Sequence, residues 1–296
     1  MFILRHKKIF FTLSILLVLA SLTGIITRGF NWGIDFTGGS VVEIEYTNIV
    51  PTFEQVDATV KTQLPQASVQ KIGDKGFLIR TSELSQTDKD TFLSSIKSTG
   101  EFTEKRFNTI GPSVGKELRT KSIIAMILIS VAIMLFVAFA FRSISKPVAS
   151  WKYGLIIIAV LFHDILIPAG FFAWSGTQVD TLFVVGLLTI LGVSVNDTIV
   201  VFDRIRENLK RHYQGKNSIT FTEIVGKSIS ETFTRSLMTS TTVLLALLAL
   251  VLFGPESIKT LSITMFLGMF FGTFSSIFVA APLLVVWNNV QMKKVK

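Results

Sequence analysis

Apolar and polar positions segregate along the chain on a long scale. Six runs, Ile9–Ile26, Ser122–Phe141, Tyr153–Trp174, Thr181–Phe202, Ser236–Phe253 and Leu261–Trp287, are close to the length a helix needs to cross a bilayer. A polar stretch, Arg28–Lys121, separates the first run from the second. The first run follows Arg5-His6-Lys7-Lys8, and Leu19-Ala20-Ser21 loosely resembles a cleavage site. The apolar core of a signal peptide spans only about 7–15 residues, so a retained first helix is favoured over a cleaved signal. In the last run, Gly268, Gly272, Ser276 and Ala280 recur every four residues, a ladder of small side chains suited to close helix packing.

Inside Arg28–Lys121 the period changes. Val42, Ile44 and Tyr46 mark one face of a strand over Ser40–Tyr46, and Phe53–Leu64 predicts a helix that ends before Pro65. Ser68–Ile72 and Phe77–Thr81 are predicted strands joined by Gly73-Asp74-Lys75-Gly76, a hairpin turn. Leu84–Ile96 carries apolar residues at helical spacing, with Ser85 or Thr87 able to cap it, and Phe102–Thr109 closes as a strand. The order β-α-β-β-α-β is that of a small ferredoxin-like α+β domain. It contains no histidine, no nucleophile–base spacing and no phosphate loop, so a binding or mechanical module is expected.

Charge sharpens this picture. The polar stretch is nearly neutral, and the remaining basic residues far outnumber the remaining acids. They cluster at alternate ends of the apolar runs, after the second (Arg142, Lys146, Lys152), after the fourth (Arg204, Arg206, Lys210, Arg211, Lys216, Lys227) and after the sixth (Lys293, Lys294, Lys296). The positive-inside rule then puts both termini in the cytoplasm and Arg28–Lys121 outside. The net charge of +9 is thus a membrane topology signal and not a nucleic-acid footprint. The absence of cysteine excludes disulfides, thiol chemistry and Cys-ligated metals.

Within this frame a few residues call for chemistry. Asn196 and Asp197 lie inside the fourth run, where a carboxylate costs roughly 2.5–3.5 kcal/mol on insertion scales. Asp197 reads as a polar contact between helices, a cap on a broken helix, or a proton-titrating group, with proton or ion coupling placed first because intramembrane carboxyls mark pathways. Gly186, Thr189, Val193 and Asp197 fall on one helical face. Arg235, at the mouth of the fifth run, is the natural counter-charge, with Thr239 and Thr242 continuing its stripe; by position alone it is equally a snorkelling interfacial arginine. His163-Asp164 in the third run is either a relay member or a satisfied polar contact, and with no third or fourth ligand in view no metal site is expected. Gly33-Ile34-Asp35-Phe36-Thr37-Gly38-Gly39 precedes a strand and not a helix, which argues for a tight connection and against a phosphate loop. Gly111-Pro112-Ser113-Val114-Gly115 forms a matching hinge at the exit of the polar stretch, and Asp203–Arg211 reads as a juxtamembrane amphipathic segment.

These stretches, with Asn196-Asp197 running on to Asp203-Arg204-Ile205-Arg206-Glu207-Asn208 and with Thr234-Arg235-Ser236, occur in the order of the signature stretches of the SecF family. The chain resembles those protein-export membrane subunits of the bacterial Sec translocase over essentially its whole length. The resemblance implies an α-helical membrane protein of six transmembrane helices, half of an RND-like transporter, with the α+β domain between helices 1 and 2. Helix 1 would occupy 1–27, the periplasmic domain 28–121, helices 2–6 122–288 and a basic cytoplasmic tail 289–296.

The family's membrane aspartate matches Asp197 and its membrane arginine matches Arg235, with Asn196 alongside. Gly33, Asp35, Gly38, Gly39, Asp203, Arg204, Arg206 and Glu207 fall on its motifs. The segment between Glu207 and Arg235 is slightly longer than the family's pattern. The resemblance further implies SecD, the SecYEG channel, YajC and unfolded preprotein as partners, the cytoplasmic membrane as location, and proton-motive-force-dependent export as activity. It implies no cofactor, no enzymatic reaction and no nucleic acid. The rival readings are an RND-like half-transporter for a lipid or small molecule, and a passive assembly scaffold.

Overall fold

A computed structural model of the chain describes residues 2–140, 148–214 and 219–295. Phe141, Arg142, Lys146, Lys216 and Lys296, which entered the sequence argument, lie outside the described residues. Two compact units emerge, one from Trp32 to Ile123 and one made of the residues on either side of it.

The unit Trp32–Ile123 begins with a single helical turn, α2 (Ile34–Thr37), after the first long helix, α1 (Lys7–Arg28). Then follow β1 (Gly39–Tyr46), α3 (Phe53–Gln63), β2 (Ser68–Ile72), β3 (Gly76–Thr81), α4 (Gln86–Ile96) and β4 (Phe102–Ile110). The strands form one antiparallel sheet in the spatial order β2-β3-β1-β4. Val42 stands opposite Ile79 and Ile44 opposite Phe77, while on the other side Tyr46 faces Phe102. The alternation in β1 sets which face packs: Val42, Ile44 and Tyr46 are buried with Val56 and Val60 of α3 and Phe92 and Ile96 of α4. Both helices start on side-chain caps. Thr52 and Gln55 form a reciprocal capping box, and Ser85 accepts from the Asp88 N–H at 3.2 Å.

The second unit contains six helices long and apolar enough to cross a membrane. They are α1, α5 (Pro112–Ala140, which starts in the first unit), α6 (Ser150–Ser175), α7 (Thr181–Gln214), α8 (Phe221–Phe253) and a last pair, α9 (Lys259–Ser275) and α10 (Ala281–Val295), joined by a π-helical turn at Ser276–Ala280. Three spans, those of α6, α7 and the last pair, are mostly covered by protein, whereas α1, α5 and α8 keep apolar side chains such as Leu16, Leu135 and Leu245 exposed. An apolar surface of that extent suits hydrocarbon and not water. Small residues set the crossings, as the four-residue ladder predicts. Any Cβ at Gly268 would collide with Ile190 of α7, and one at Gly170 of α6 would collide with Ser21 of α1. α1 is further tied to α6 by Trp174, whose Nε1 donates to the Ala20 carbonyl at 2.8 Å, and by Arg28, which donates to the Trp174 carbonyl at 3.0 Å.

Two expectations from the sequence are revised here. Asp203–Arg211 is not a separate amphipathic segment but the continuation of α7 to Gln214. The fifth helix begins at Phe221, well before Ser236. A second capping box, Thr220 with Glu223, starts α8 there, a polar signal that hydropathy does not register. Ile205 and Leu209 on α7 pack with Ile224 and Val225 on α8, so both extensions have a buried seam that pays for their order. At the other end, the helix runs on through the expected tail to Val295.

Candidate functional site

A carboxylate in hydrocarbon must find hydrogen bonds from its neighbours. Asp197 is 7% exposed, and Oδ2 accepts from Ser240 on α8 at 3.3 Å and from Thr273 on α9 at 3.5 Å. These bonds are long, so the group is held loosely. Beside it lies a cavity of about 30 Å³ lined by Thr189, Val193, Ser194, Val243, Met269 and Gly272 among others. That volume admits a water molecule, and Asp197 and Ser194 supply polar partners for it.

Asp164 presents the opposite case. It is fully buried on α6, and its Oδ1 takes a hydrogen bond from His163 Nδ1 at 2.9 Å. Its Oδ2 takes one from Ser275 at 3.0 Å and a short one from Ser194 on α7. A second hydroxyl pair, Thr198 with Ser276 at 2.8 Å, lies next to it. The π-helical turn begins at this point. Adjacent residues on a helix diverge by about 100°, which lets Ser275 and Ser276 serve separate partners on α6 and α7.

Arg235 does not join this cluster. It is exposed on α8 with Thr239 and Thr242, and among the described residues it makes no ion pair. The stripe that faces Asp197 is Ser236–Ser240, one residue further along the helix, a rotation of about 100°. Asn196 is likewise exposed, turned away from its neighbour Asp197, as is Gly192 one turn before it.

The motif residues Arg204, Arg206, Glu207 and Asp203 lie on the extension of α7. Arg204 bridges to Glu231 of α8 at 2.6 Å and to Glu207 on its own helix, while Arg206 pairs with Asp203 at 3.4 Å. Asn208, nearly buried, donates to Ser228 at 2.9 Å and to Glu231 at 2.8 Å. This node clamps the two extensions together.

In the other unit, Gly33 caps α2 and Asp35 is half-buried in that turn. Gly38 (φ 77°) and Gly39 (φ 129°) adopt backbone that other residues avoid. A Cβ at Gly38 would lie 2.7 Å from Pro112 Cα, and one at Gly115 3.0 Å from the Gly38 nitrogen. The two glycine motifs therefore pack into one another, and the exit hinge is a lock.

The hydroxyls Ser194, Ser240, Thr273 and Ser275 are not singled out by the sequence, and Ser276 stands out there only as a small packing residue. Ser194 could have been, since it precedes Asp197 by three residues on the same face. Among the described residues no group of three His, Asp or Glu side chains could hold a metal ion.

Residues 91–290 match the family described as Protein export membrane protein SecD/SecF, C-terminal, and residues 23–48 match the SecD/SecF GG motif. The chain is 38% identical to Protein translocase subunit SecF of Thermobaculum terrenum, covering 97% of this chain and 94% of that protein. It is 36% identical to the protein of the same name from Sebaldella termitidis, covering 95% and 90%. The crystal structure of SecDF, a translocon-associated membrane protein from Thermus, superposes with a TM-score of 0.83 at 31% identity over 97% of this chain, and SecDF in a super-membrane-facing form does so at 0.68. The chain spans 38% of the length of each of those solved chains.

Proposed function

Because this chain belongs to the SecD/SecF family of protein-export membrane proteins, we propose that it couples the proton motive force to the export of unfolded polypeptide, acting as one half of a SecDF-type assembly. The observation that carries this reading is Asp197. It is a carboxyl within a membrane span, loosely held by two hydroxyls, beside a cavity large enough for a water molecule. Such a group can take and give up a proton without dismantling its surroundings. Arg235, displaced from it by one helical position, would stabilise the charge left behind when the helices rotate or shift to bring the two together. The work is conformational and not enzymatic, and it requires only that the two arrangements bind the proton and the polypeptide differently.

In this reading the basic ends of the spans put both termini in the cytoplasm and the unit Trp32–Ile123 outside, where it handles the emerging chain. SecD is the proposed partner within the membrane. The exposed polar stripes, Arg235–Thr239–Thr242 on α8 and Gly192–Asn196 on α7, suit a protein neighbour better than lipid. SecYEG and YajC complete the assembly. A half-transporter for lipids or small molecules is not favoured, since the matched relatives are named translocase subunits.

The test is gradient-stimulated export of a preprotein in proteoliposomes holding the assembled complex. Asp197→Asn is expected to abolish the stimulation by a proton gradient. Undiminished stimulation in a correctly assembled complex, or stimulation by a sodium gradient alone, would refute the proposal.

A further inference from the structure

We infer that His163 and Asp164 form a second proton-holding site in the membrane unit, joined to Asp197 through Ser194. The inference rests on the reading of Asp197 just given. Three observations support it. The first is the set of groups around Asp164. His163 is its titratable neighbour on α6, and Asp197 is the titratable residue of the facing part of α7. The last pair of helices carries no titratable side chain between Lys259 and Lys293, and α1 carries none between Lys8 and Arg28. From α8, Arg235 is exposed and pairs with neither acid. The imidazole is thus the cationic partner within reach of Asp164, and unlike an arginine it can carry or release its proton. The pair can exist as carboxylate with neutral imidazole, or take one more proton and become net neutral within the same hydrogen-bond frame.

The second observation is an orphaned atom. His163 is 6% exposed, and its Nε2 is buried with no hydrogen-bond partner among the described residues. With Nδ1–H donated to Asp164, Nε2 is a bare lone pair and the ring is neutral. A second N–H at that buried, partnerless atom would be costly, so the added proton rests on the Asp164 carboxyl while Nδ1–H steadies it.

The third is a connection. Ser194 donates to Asp164 and also lines the cavity that Asp197 borders. Gly272 keeps the place open: a Cβ there would lie 3.4 Å from Ser194 Oγ and 3.5 Å from Asp164 Oδ2. A proton leaving the Asp197 carboxyl passes to a cavity water, which releases one of its own protons to Ser194 Oγ. Ser194 in turn gives its original proton to Asp164 Oδ2. One O–H bond breaks and one forms at each stage, so the net result is a single proton moved from Asp197 to Asp164.

The experiment is infrared difference spectroscopy of the purified full chain in lipid between high and low pH, reading only the C=O stretches that lie above the broad band of the water-exposed Asp and Glu carboxyls. Two bands are expected in the unmodified protein, with Asp164→Asn removing one and Asp197→Asn removing the other. The band that survives in each variant also reports that the variant is folded. A single band that vanishes with Asp197→Asn and is untouched by Asp164→Asn overturns the second site alone. Loss of neither band in Asp197→Asn overturns the reading of Asp197 as well.

For the connection, Ser194→Ala is expected to lower gradient-stimulated export at least roughly tenfold and to shift its pH profile, and Ser194→Thr, which keeps the hydroxyl, to restore both. If Ser194→Thr fails as badly as Ser194→Ala, or if neither changes the pH profile, Ser194 only packs and the link is refuted.

Discussion

Replacing Gly38 by alanine tests whether the two glycine motifs form a lock. Gly38 sits at φ 77° and ψ 165°, a region open essentially to glycine, where another residue costs about 1–3 kcal/mol. The new Cβ would also lie 2.7 Å from both the nitrogen and the Cα of Pro112, well inside carbon–carbon contact. Those are backbone atoms at the start of α5, so no side chain can swing aside. Overpacking of this kind adds about 1–3 kcal/mol, for a combined cost of about 2–6 kcal/mol. Gly73 provides the control. It also has positive φ, at 57°, but a Cβ there meets nothing within 4 Å, so alanine costs only the conformational share of about 1–2 kcal/mol. The assay is pulse proteolysis of the purified full chain across a urea series, following fragments from Trp32–Ile123. Gly38→Ala should lower the midpoint clearly more than Gly73→Ala. Equal midpoints would mean that the close approach to Pro112 contributes nothing, and the lock would be discarded.

Two further outcomes follow from particular contacts. Asn208→Ala removes the nearly buried amide that joins Ser228 and Glu231, and should destabilise the paired extensions of α7 and α8 by about 1–3 kcal/mol in thermal unfolding, whereas a shift within error would show the clamp to be idle. Tyr46 supplies a pH signature: burial raises its phenol above the ordinary value of 10.0, an effect partly offset by its hydrogen bond with Thr99. The folded unit therefore holds that proton more tightly than the unfolded chain. Its contribution to stability is intact below about pH 10 and is lost as pH rises through the folded-state value. Tyr46→Phe should cost about 1 kcal/mol at neutral pH yet flatten the alkaline decline, and a decline parallel to the parent would count against the assignment.

Much of the architecture is legible in the amino-acid sequence. The period-2 alternation of Val42, Ile44 and Tyr46, the hairpin glycines and the capping serine at Ser85 all report local chemistry, and local chemistry survives in a string of letters. Six apolar runs likewise predict six spans, because a bilayer reads length and composition above all. What hydropathy hides is helix made of polar residues. The extensions Asp203–Gln214 and Phe221–Arg235 are helical because of a capping box and a narrow buried seam, neither of which raises a hydropathy average.

The candidate site divides in the same way. The composition of the fourth run alone identifies Asp197 as anomalous, and the adjacency of His163 and Asp164 marks a second polar pair. Helical periodicity says which residues share a face, but not which neighbour that face meets. On α8 two polar stripes run side by side, Arg235–Thr239 and Ser236–Ser240, and charge favours the first while the packing turns the second toward Asp197. On the last pair of helices, only the packing tells that two consecutive serines serve Asp164 and Thr198 separately. Local composition and period are enough to give the number of spans, the α+β unit between the first two and the presence of intramembrane acids. Which hydroxyls hold those acids, and where Arg235 stands, is set by how the helices pack. Those outcomes depend on rotations of packed helices that small residues such as Gly170, Gly268 and Gly272 permit, and no single helix encodes them.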